Sequence, residues 1–355
     1  MIYLDYQAST PLAPEARAAM LPWLEAAGSA NPHSPHAPGR AAAAAVEVAR
    51  DQVAALLPAG GRVVFTGSAT EALNLAIQGC GRRTIAVSAI EHAAVLDTAR
   101  AVATVHELPV GSAGLLDPEV PFAPETGLVA VMQVNNEIGT IQPVAVLAER
   151  AHAIGALFLC DAVQGGGKLD APAGADLVAL SAHKLHGPKG IGALWVRDGV
   201  KLAPLIHGGG QEQGLRSGTL SPALCAGFGA AAALALTQRE IDAAYVEALW
   251  HAARAALEGW TLNGSETARW KGNLNLRLDG LDVARLISDC RRIAFSAGSA
   301  CASGSGRPSH VLRALGLSDA QAKSSIRLGF GRYTTRDELI EACQIIAAAA
   351  RAQEM

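Results

Sequence analysis

The apolar run DLVALS leads directly into SAHKLHGPKG, Ser181 to Gly190, which places Lys184 between two histidines at a strand end. A free lysine, with a pKa of about 10.4, is protonated and a poor nucleophile at neutral pH. Desolvation or a neighbouring cation lowers that value, so Lys184 is either a solvated surface charge or a reactive amine. Other residues decide between the two. Asp161 follows ALFLC, where a carboxylate either caps a loop or keeps a pyridine nitrogen protonated. His92, in SAIEHAAVLDTAR, either caps a helix start or offers a ring for stacking and proton relay. In TGSATEA, Thr66 to Ala72, the N–H groups around Ala69, Thr70 and Glu71 and the hydroxyls of Ser68 and Thr70 make either an ordinary helix cap or a phosphate site. The stretch matches neither Walker A nor G-x-G-x-x-G, so a nucleotide is not its natural ligand. Gln164 and Asn136 are amides that could bond a ligand oxygen or loop backbone, and Arg327 could grip a carboxylate with two prongs or pair on the surface. Cys301 lies in SAGSACASGSGRPSH, a stretch too rich in Gly and Ser to be a packed element.

The elements that must position these residues follow from periodicity. Between residues 62 and 196 the apolar runs VVFT, TIAVS, LVAVMQV, ALFLC, DLVALS and IGALWV alternate with helical patterns. That alternation predicts an α/β fold with a mostly parallel sheet and helices on both faces. Ligands of such sheets bind beyond the carboxyl ends of the strands, where the amine, acid, imidazole, amides and helix start above would converge. After residue 236 long alanine-rich helices and the segments NLNLRL, IAFSAG and SIRLGF suit a smaller α+β domain. The expected division is a large domain over 16–250 and a small domain over 1–15 and 251–355 carrying the Cys301 loop.

Composition narrows the function classes. The formal charge of -3 gives neither a basic field for nucleic acid nor a membrane-binding patch. The longest apolar run, 223–236, is too short to span a bilayer, and the start MIYLDYQAST shows no secretory pattern, so a cytoplasmic location is expected. No C-x-x-C pair occurs among the six cysteines. Cys80, Cys160, Cys225 and Cys343 read as small core residues, and Cys290 is open.

With Lys184, Asp161, His92 and the Cys301 loop in place, the chain resembles a cysteine desulfurase of the pyridoxal-phosphate aminotransferase class V family, whose members share the type I fold of these enzymes. The likeness runs in order through LDYQASTPL, NPHSPHAPGR, TGSATEALNLAI, EHAAVLDT, VNNEIGTIQPV, DAVQGGGKL, SAHKLHGPKGIGALWV, HGGGQEQGLRSGTLS, GSACASG, PSHVLRALG and SSIRLGFGRYTT. It implies pyridoxal 5'-phosphate as cofactor, with Lys184 as the Schiff-base lysine, His92 on the ring, and Asp161 and Gln164 at its nitrogen and phenolic oxygen. Ala69, Thr70, Ser181 and His183 match phosphate-binding positions. Asn136 matches a residue near cofactor and substrate, and Arg327 the clamp on the substrate carboxylate. Thr219 matches a threonine lent to the neighbouring subunit's phosphate, which implies a homodimer.

Cys301 matches the sulfur acceptor: L-cysteine would yield L-alanine and a persulfide on Cys301, passed to an iron–sulfur scaffold or another acceptor protein. No metal is implied beyond a transient iron–sulfur contact through Cys301. A selenocysteine lyase, another class V enzyme, or a catalytically silent sulfur relay are the alternatives. Two departures stand out: Gly67-Ser68 where members commonly read Ser-Gly, and Val163-Gln164-Gly165 where they commonly read Thr-Gln-Ser.

Overall fold

A computed structural model describes residues 1–25, 28–298 and 308–353. Its main sheet has seven strands: β1 (Gly61–Thr66), β2 (Thr84–Ser88), β3 (Thr104–Leu108), β4 (Leu128–Ala130), β5 (Leu157–Asp161), β6 (Leu177–Ser181) and β7 (Gly192–Arg197). They lie in the order β1-β7-β6-β5-β4-β2-β3. Every pairing from β6 to β3 is parallel, and β7 alone runs against its two neighbours. The mostly parallel sheet expected from the alternating pattern is therefore present.

Two strands differ from the sequence reading for physical reasons. LVAVMQV keeps only Leu128–Ala130 in the ladder, after which Val134 makes an isolated bridge to Ile141 and the chain is free to turn into a ligand site. The strand Thr104–Leu108 was not anticipated because it is an edge strand whose residues TVHEL are mostly exposed or half-buried, with no continuous apolar signal.

Apolar side chains collect in separate clusters. One lies under a face of the sheet with Val63, Phe65, Val129, Phe158, Val178 and Trp195, and takes in residues from Cys225 to Ala235 of the helix Pro222–Ala256. A further cluster, with Leu73, Ile77, Val87 and Leu194, fills the opposite face. Another joins Ile2 and Leu4 to Val246, Leu249 and Trp250 of the same long helix and to the strands Asn273–Arg277 and Ser325–Gly329. Those two strands pair antiparallel within a four-stranded sheet, while Ile2–Tyr3 pairs parallel with Ile293–Ala294. The long helix thus carries apolar residues of both cores on one rod. Among the described residues, no helix is long and apolar enough to cross a membrane.

Cys160, Cys225 and Cys343 are buried as expected, and so is Cys290. Cys80 is only half-buried, because it ends the helix Ala69–Gly79, and its thiol donates to the Ile77 carbonyl at 3.1 Å.

One glycine decides how closely the sheet approaches that helix. Gly192 pairs with both Thr66 and Ser181, and a Cβ there would meet the Ser68 carbonyl carbon at 2.5 Å and the Ala69 nitrogen at 2.7 Å. Both contacts are backbone, so neither can rotate away. Gly192→Ala should therefore push the helix start off the sheet and lower stability by about 1–3 kcal/mol. Thermal unfolding measures this, and an unchanged midpoint would contradict the close approach.

Candidate active site

The carboxyl ends of β1, β2, β4, β5 and β6 open on a single cleft with a void of about 900 Å3. Its lining includes ten of the twelve residues singled out from the sequence: Ala69, Thr70, His92, Asn136, Asp161, Gln164, Ser181, His183, Lys184 and Arg327. These come from positions more than 250 residues apart, and the sheet order brings them to one rim. Thr219 is not among them; it is exposed and lies away from the cleft of its own chain. Cys301 lies outside the described residues.

Lys184 closes a short 3-10 turn that follows β6 directly. Its Nζ donates to the Gln7 carbonyl and, at 2.9 Å, to that of Ala8. The turn is held in a costly backbone state: His186, two residues on, has φ 68°. That strain is sustained by local bonds, from His186 N to the Thr10 hydroxyl at 2.8 Å and from Gly187 N to the Ala182 carbonyl at 2.8 Å.

Asp161 is buried, and one carboxylate oxygen accepts from Val163 N at 2.9 Å. Burial pushes its pKa up, while that backbone bond and the charges of His92 and Lys184 pull it down. A carboxylate so placed, facing a cleft with one backbone donor, is suited to a cationic N–H partner. His183 is pushed down to about 4 by burial and by Lys184 and Lys189, so its ring is neutral at physiological pH. One ring nitrogen lies 3.3 Å from the Ser9 hydroxyl.

The helix reading of TGSATEA proves correct in one half and incomplete in the other. Ser68 caps the helix Ala69–Gly79, its Oγ accepting from Glu71 N at 3.2 Å. The Glu71 N–H is thereby taken up by the cap, while the Ser68 hydroxyl keeps its hydrogen to donate and Ser68 lines the cleft. The N–H groups of Ala69 and Thr70 have no acceptor within the helix, and both residues line the cleft. The exchange of Ser-Gly for Gly67-Ser68 is absorbed locally: Gly67 N donates to Glu71 Oε2 at 2.7 Å, and Glu71 is held by Arg216 at 2.7 Å. His92 caps the following helix, its Nδ1 accepting from Ala94 N at 3.1 Å, and the residue also lines the cleft.

Gln164 gives one amide N–H to the Gln7 carbonyl at 3.0 Å, leaving a second donor. The glycine beside it has a steric cause, since a Cβ at Gly165 would lie 2.1 Å from Gln133 Oε1. Arg327 is 1% exposed and does not form the surface ion pair that is the commoner fate of arginine. It donates to Asp5 Oδ1 at 2.7 Å and to the Asn136 carbonyl at 3.0 Å. These two bonds fix the guanidinium plane while the residue still lines the cleft.

The family model for aminotransferase class-V matches residues 2–341. The chain belongs to the aminotransferase class-V family. It is 44% identical over 363 residues to a mitochondrial cysteine desulfurase of Arthroderma benhamiae, covering 95% of this chain and 72% of the relative. It is 42% identical over 369 residues to the cysteine desulfurase IscS of Rickettsia bellii, covering 97% of this chain and 90% of the relative. A solved NifS-like protein superposes with a TM-score of 0.90 at 30% identity, covering 99% of each chain. The family and these desulfurase relatives indicate a pyridoxal-phosphate-dependent enzyme, and the solved neighbour carries the type I fold of that class.

Several cleft residues went unassigned in the sequence. Gln7 and Ala8 supply the carbonyls that hold Lys184, and Asp5 supplies the counter-ion of Arg327; all three sit in LDYQASTPL, whose match to the family was the available signal. Leu73, Met132 and Val134 supply apolar lining and carry no such signal.

Two buried acids behind the cleft were given no role by the sequence. Glu91 is fully buried and accepts from Met132 N at 2.6 Å. Glu137, next to Asn136, accepts from the Ser309 hydroxyl at 2.5 Å, and its carbonyl accepts from Asn275 Nδ2 at 3.1 Å. Asn275 Nδ2 also reaches the Gly298 carbonyl at 3.3 Å. Glu137 therefore ties together the two flanks, Gly298 and Ser309, of the segment containing Cys301.

Burial pushes Glu137 up from 4.5 to about 7, against the opposing effects of Ser309, Arg327 and His92. A raised carboxyl pKa means that the folded state holds its proton longer than the unfolded chain. Its stabilising contribution is thus complete below pH 4.5 and is lost as pH rises towards about 7. Glu137→Gln should remove that part of the pH dependence. The check is the difference in unfolding midpoint between the two proteins across this window, and parallel curves would refute the assignment.

Proposed function

We propose that this protein is a cysteine desulfurase that binds pyridoxal 5'-phosphate in the cleft and converts L-cysteine to L-alanine with transfer of sulfur to Cys301. The observation that carries the reading is the convergence of Lys184, Asp161, His92 and Arg327 on one cleft with two open N–H groups at a helix start. The donor set fits the cofactor. Ala69 N, Thr70 N, the Ser181 hydroxyl and the neutral His183 ring suit a phosphate, with Thr219 of a second copy completing it in a homodimer. Asp161 suits a ring nitrogen cation, His92 the ring face, and the second amide N–H of Gln164 the phenolic oxygen.

Pyridoxal phosphate, when bound, supplies an aldehyde for an amine and a pyridinium ring that accepts the electrons released at the substrate α-carbon. Lys184 offers Nζ as the anchoring amine and, once displaced by substrate, as the base that takes the α-proton. Asp161 keeps the ring nitrogen protonated. Arg327, already oriented by Asp5 and Asn136, turns its remaining N–H donors to the substrate carboxylate, with the Asn136 amide beside it. Cys301, as thiolate, takes the sulfur. The balance is one L-cysteine and one Cys301 thiol giving one L-alanine and one Cys301 persulfide. The fastening of Gly298 and Ser309 at Glu137, beside Asn136, supports Cys301 reaching this cleft.

We further propose that the unit around the main sheet, 16–250, holds the cofactor while 1–15 and 251–355 carry Asp5, Arg327 and the Cys301 segment. The persulfide would be delivered to an iron–sulfur scaffold or other acceptor protein in the cytoplasm.

Reconstitution with pyridoxal phosphate tests the reading. The protein should turn yellow, Lys184→Ala should not form the same borohydride-reducible bond, and Cys301→Ala should keep the colour and lose sulfur release from L-cysteine by at least about a hundredfold. Full desulfurase activity in Cys301→Ala, or colourless protein in excess cofactor, would overturn it.

A further inference from the structure

A second, small cavity, partly open to solvent, shares only Gln7 with the active cleft. It lies between the two cores, with Ala235 on one side and Val246 and Phe330 on the other. Three cations line it, Lys168, Arg239 and Arg332, against one acid, Asp242. Asp242 is spent on Arg332, whose Nε lies 3.0 Å from Oδ1 and whose Nη2 lies 2.5 Å from Oδ2. Arg239 reaches Asp170, a carboxylate 92% exposed and outside the lining.

Lys168 has no carboxylate among the described residues. Its ammonium faces the Trp270 ring, 5.8 Å from the centroid. Burial and the nearby Lys184 push it down to about 7. Lys168 is half-buried, and an ammonium with reduced hydration and no counter-ion gains from an anion in the cavity. The apolar walls, Trp270 and Phe330, suit the other end of such a ligand.

We propose that this cavity binds a small carboxylate, with Lys168 as its counter-ion, Arg239 as a second cation, and Trp270 and Phe330 against its apolar end. The site is independent of the reaction assigned to the cleft. It is nevertheless coupled to it, because Lys168 lies in the field of Lys184 and the Gln7 carbonyl accepts from Lys184. In the chain without cofactor, carboxylate binding at Lys168 would neutralise one of two repelling ammonium groups.

The proton linkage has a definite sign. A carboxylate that binds only the ammonium form keeps constant affinity below about pH 7 and loses about tenfold per pH unit above it. Of the other titratable groups lining the cavity, Tyr6 is pushed up to about 12 and His186 down to about 4, so neither changes charge in that range. Arg239, Arg332 and Asp242 are the remaining charges facing Lys168, together with Lys184.

Calorimetric titration of the cofactor-loaded full chain with acetate and propionate, with chloride and acetamide as controls, tests the site. In two buffers of different ionisation enthalpy, acetate should bind with net proton uptake near neutrality. Lys168→Arg should keep acetate binding without the proton uptake. Lys168→Met should lose this site by at least about tenfold while retaining any acetate held in the cleft by Arg327. The colour of the bound cofactor, unchanged in both variants, shows that the cleft is intact and separates this result from failure of the desulfurase reading.

The proposal is overturned if Lys168→Met binds acetate as the unaltered chain does, or if chloride or acetamide matches acetate. In the unaltered chain alone, an acetate affinity that does not fall above about pH 7 also overturns it.

Discussion

The ammonium of Lys184, half-buried in the cleft, is given backbone oxygen acceptors. The carbonyls of Gln7 and Ala8 provide them from the opposite end of the chain, 177 and 176 residues away. The rest of the site follows from that contact. The N-terminal segment must cross from the core containing Ile2 and Leu4 to the strand end at Ser181, and in doing so it delivers Asp5 to Arg327 and the Gln7 carbonyl to Gln164. A single extended stretch thus joins the two cores at the cleft. Its backbone oxygens and one carboxylate satisfy three side chains that would otherwise carry unmet polar groups inward.

The same economy explains why many site residues have two jobs. His92 and the residues around Ser68 cap helices, which is the structural role such sequences ordinarily have. A helix start placed at the end of a parallel strand is also an anion site, since its first N–H groups cannot bond within the helix. Capping and ligand binding are consequences of one geometry. Where the sequence departs from the common family pattern, the immediate neighbours account for it: Glu71 takes the Gly67 N–H, and Gln133 occupies the space a side chain at position 165 would need.

Buried charge is distributed unevenly around the cleft. Glu91, Asp161 and Glu137 are acids whose pKa values burial raises, and they lie beside or behind the cationic and imidazole groups at its mouth. Arg269, by contrast, holds the loop after Asn136 through the carbonyls of Ile138, Asn263 and Ser265, with no ion pair among the described residues. Burial lowers it to about 9. The positioning of Asn136 and Glu137 therefore rests partly on hydrogen bonds to backbone oxygens, which are less sensitive to pH and salt than ion pairs are.

Much of this was legible in the chain. Strand identity came from short apolar runs, and the rule that ligands collect at strand ends named Asp161, Gln164, Ser181, His183 and Lys184 as neighbours before their order in the sheet was known. The edge strand Thr104–Leu108 was not legible because edge strands lack the two-sided burial that writes a continuous apolar run. Nor were the roles of Asp5 and Gln7, since a contact across more than 150 residues leaves no local period. The sequence by itself determined the residue types at the cleft, the parallel sheet and the family, because these depend on local periodicity and on ordered motifs. Only the tertiary structure decided which carbonyls hold Lys184, that Arg327 is buried against Asp5, and that Lys168 faces a cavity without an acid of its own. Those outcomes depend on how two cores close on one another, which no single stretch of the chain encodes.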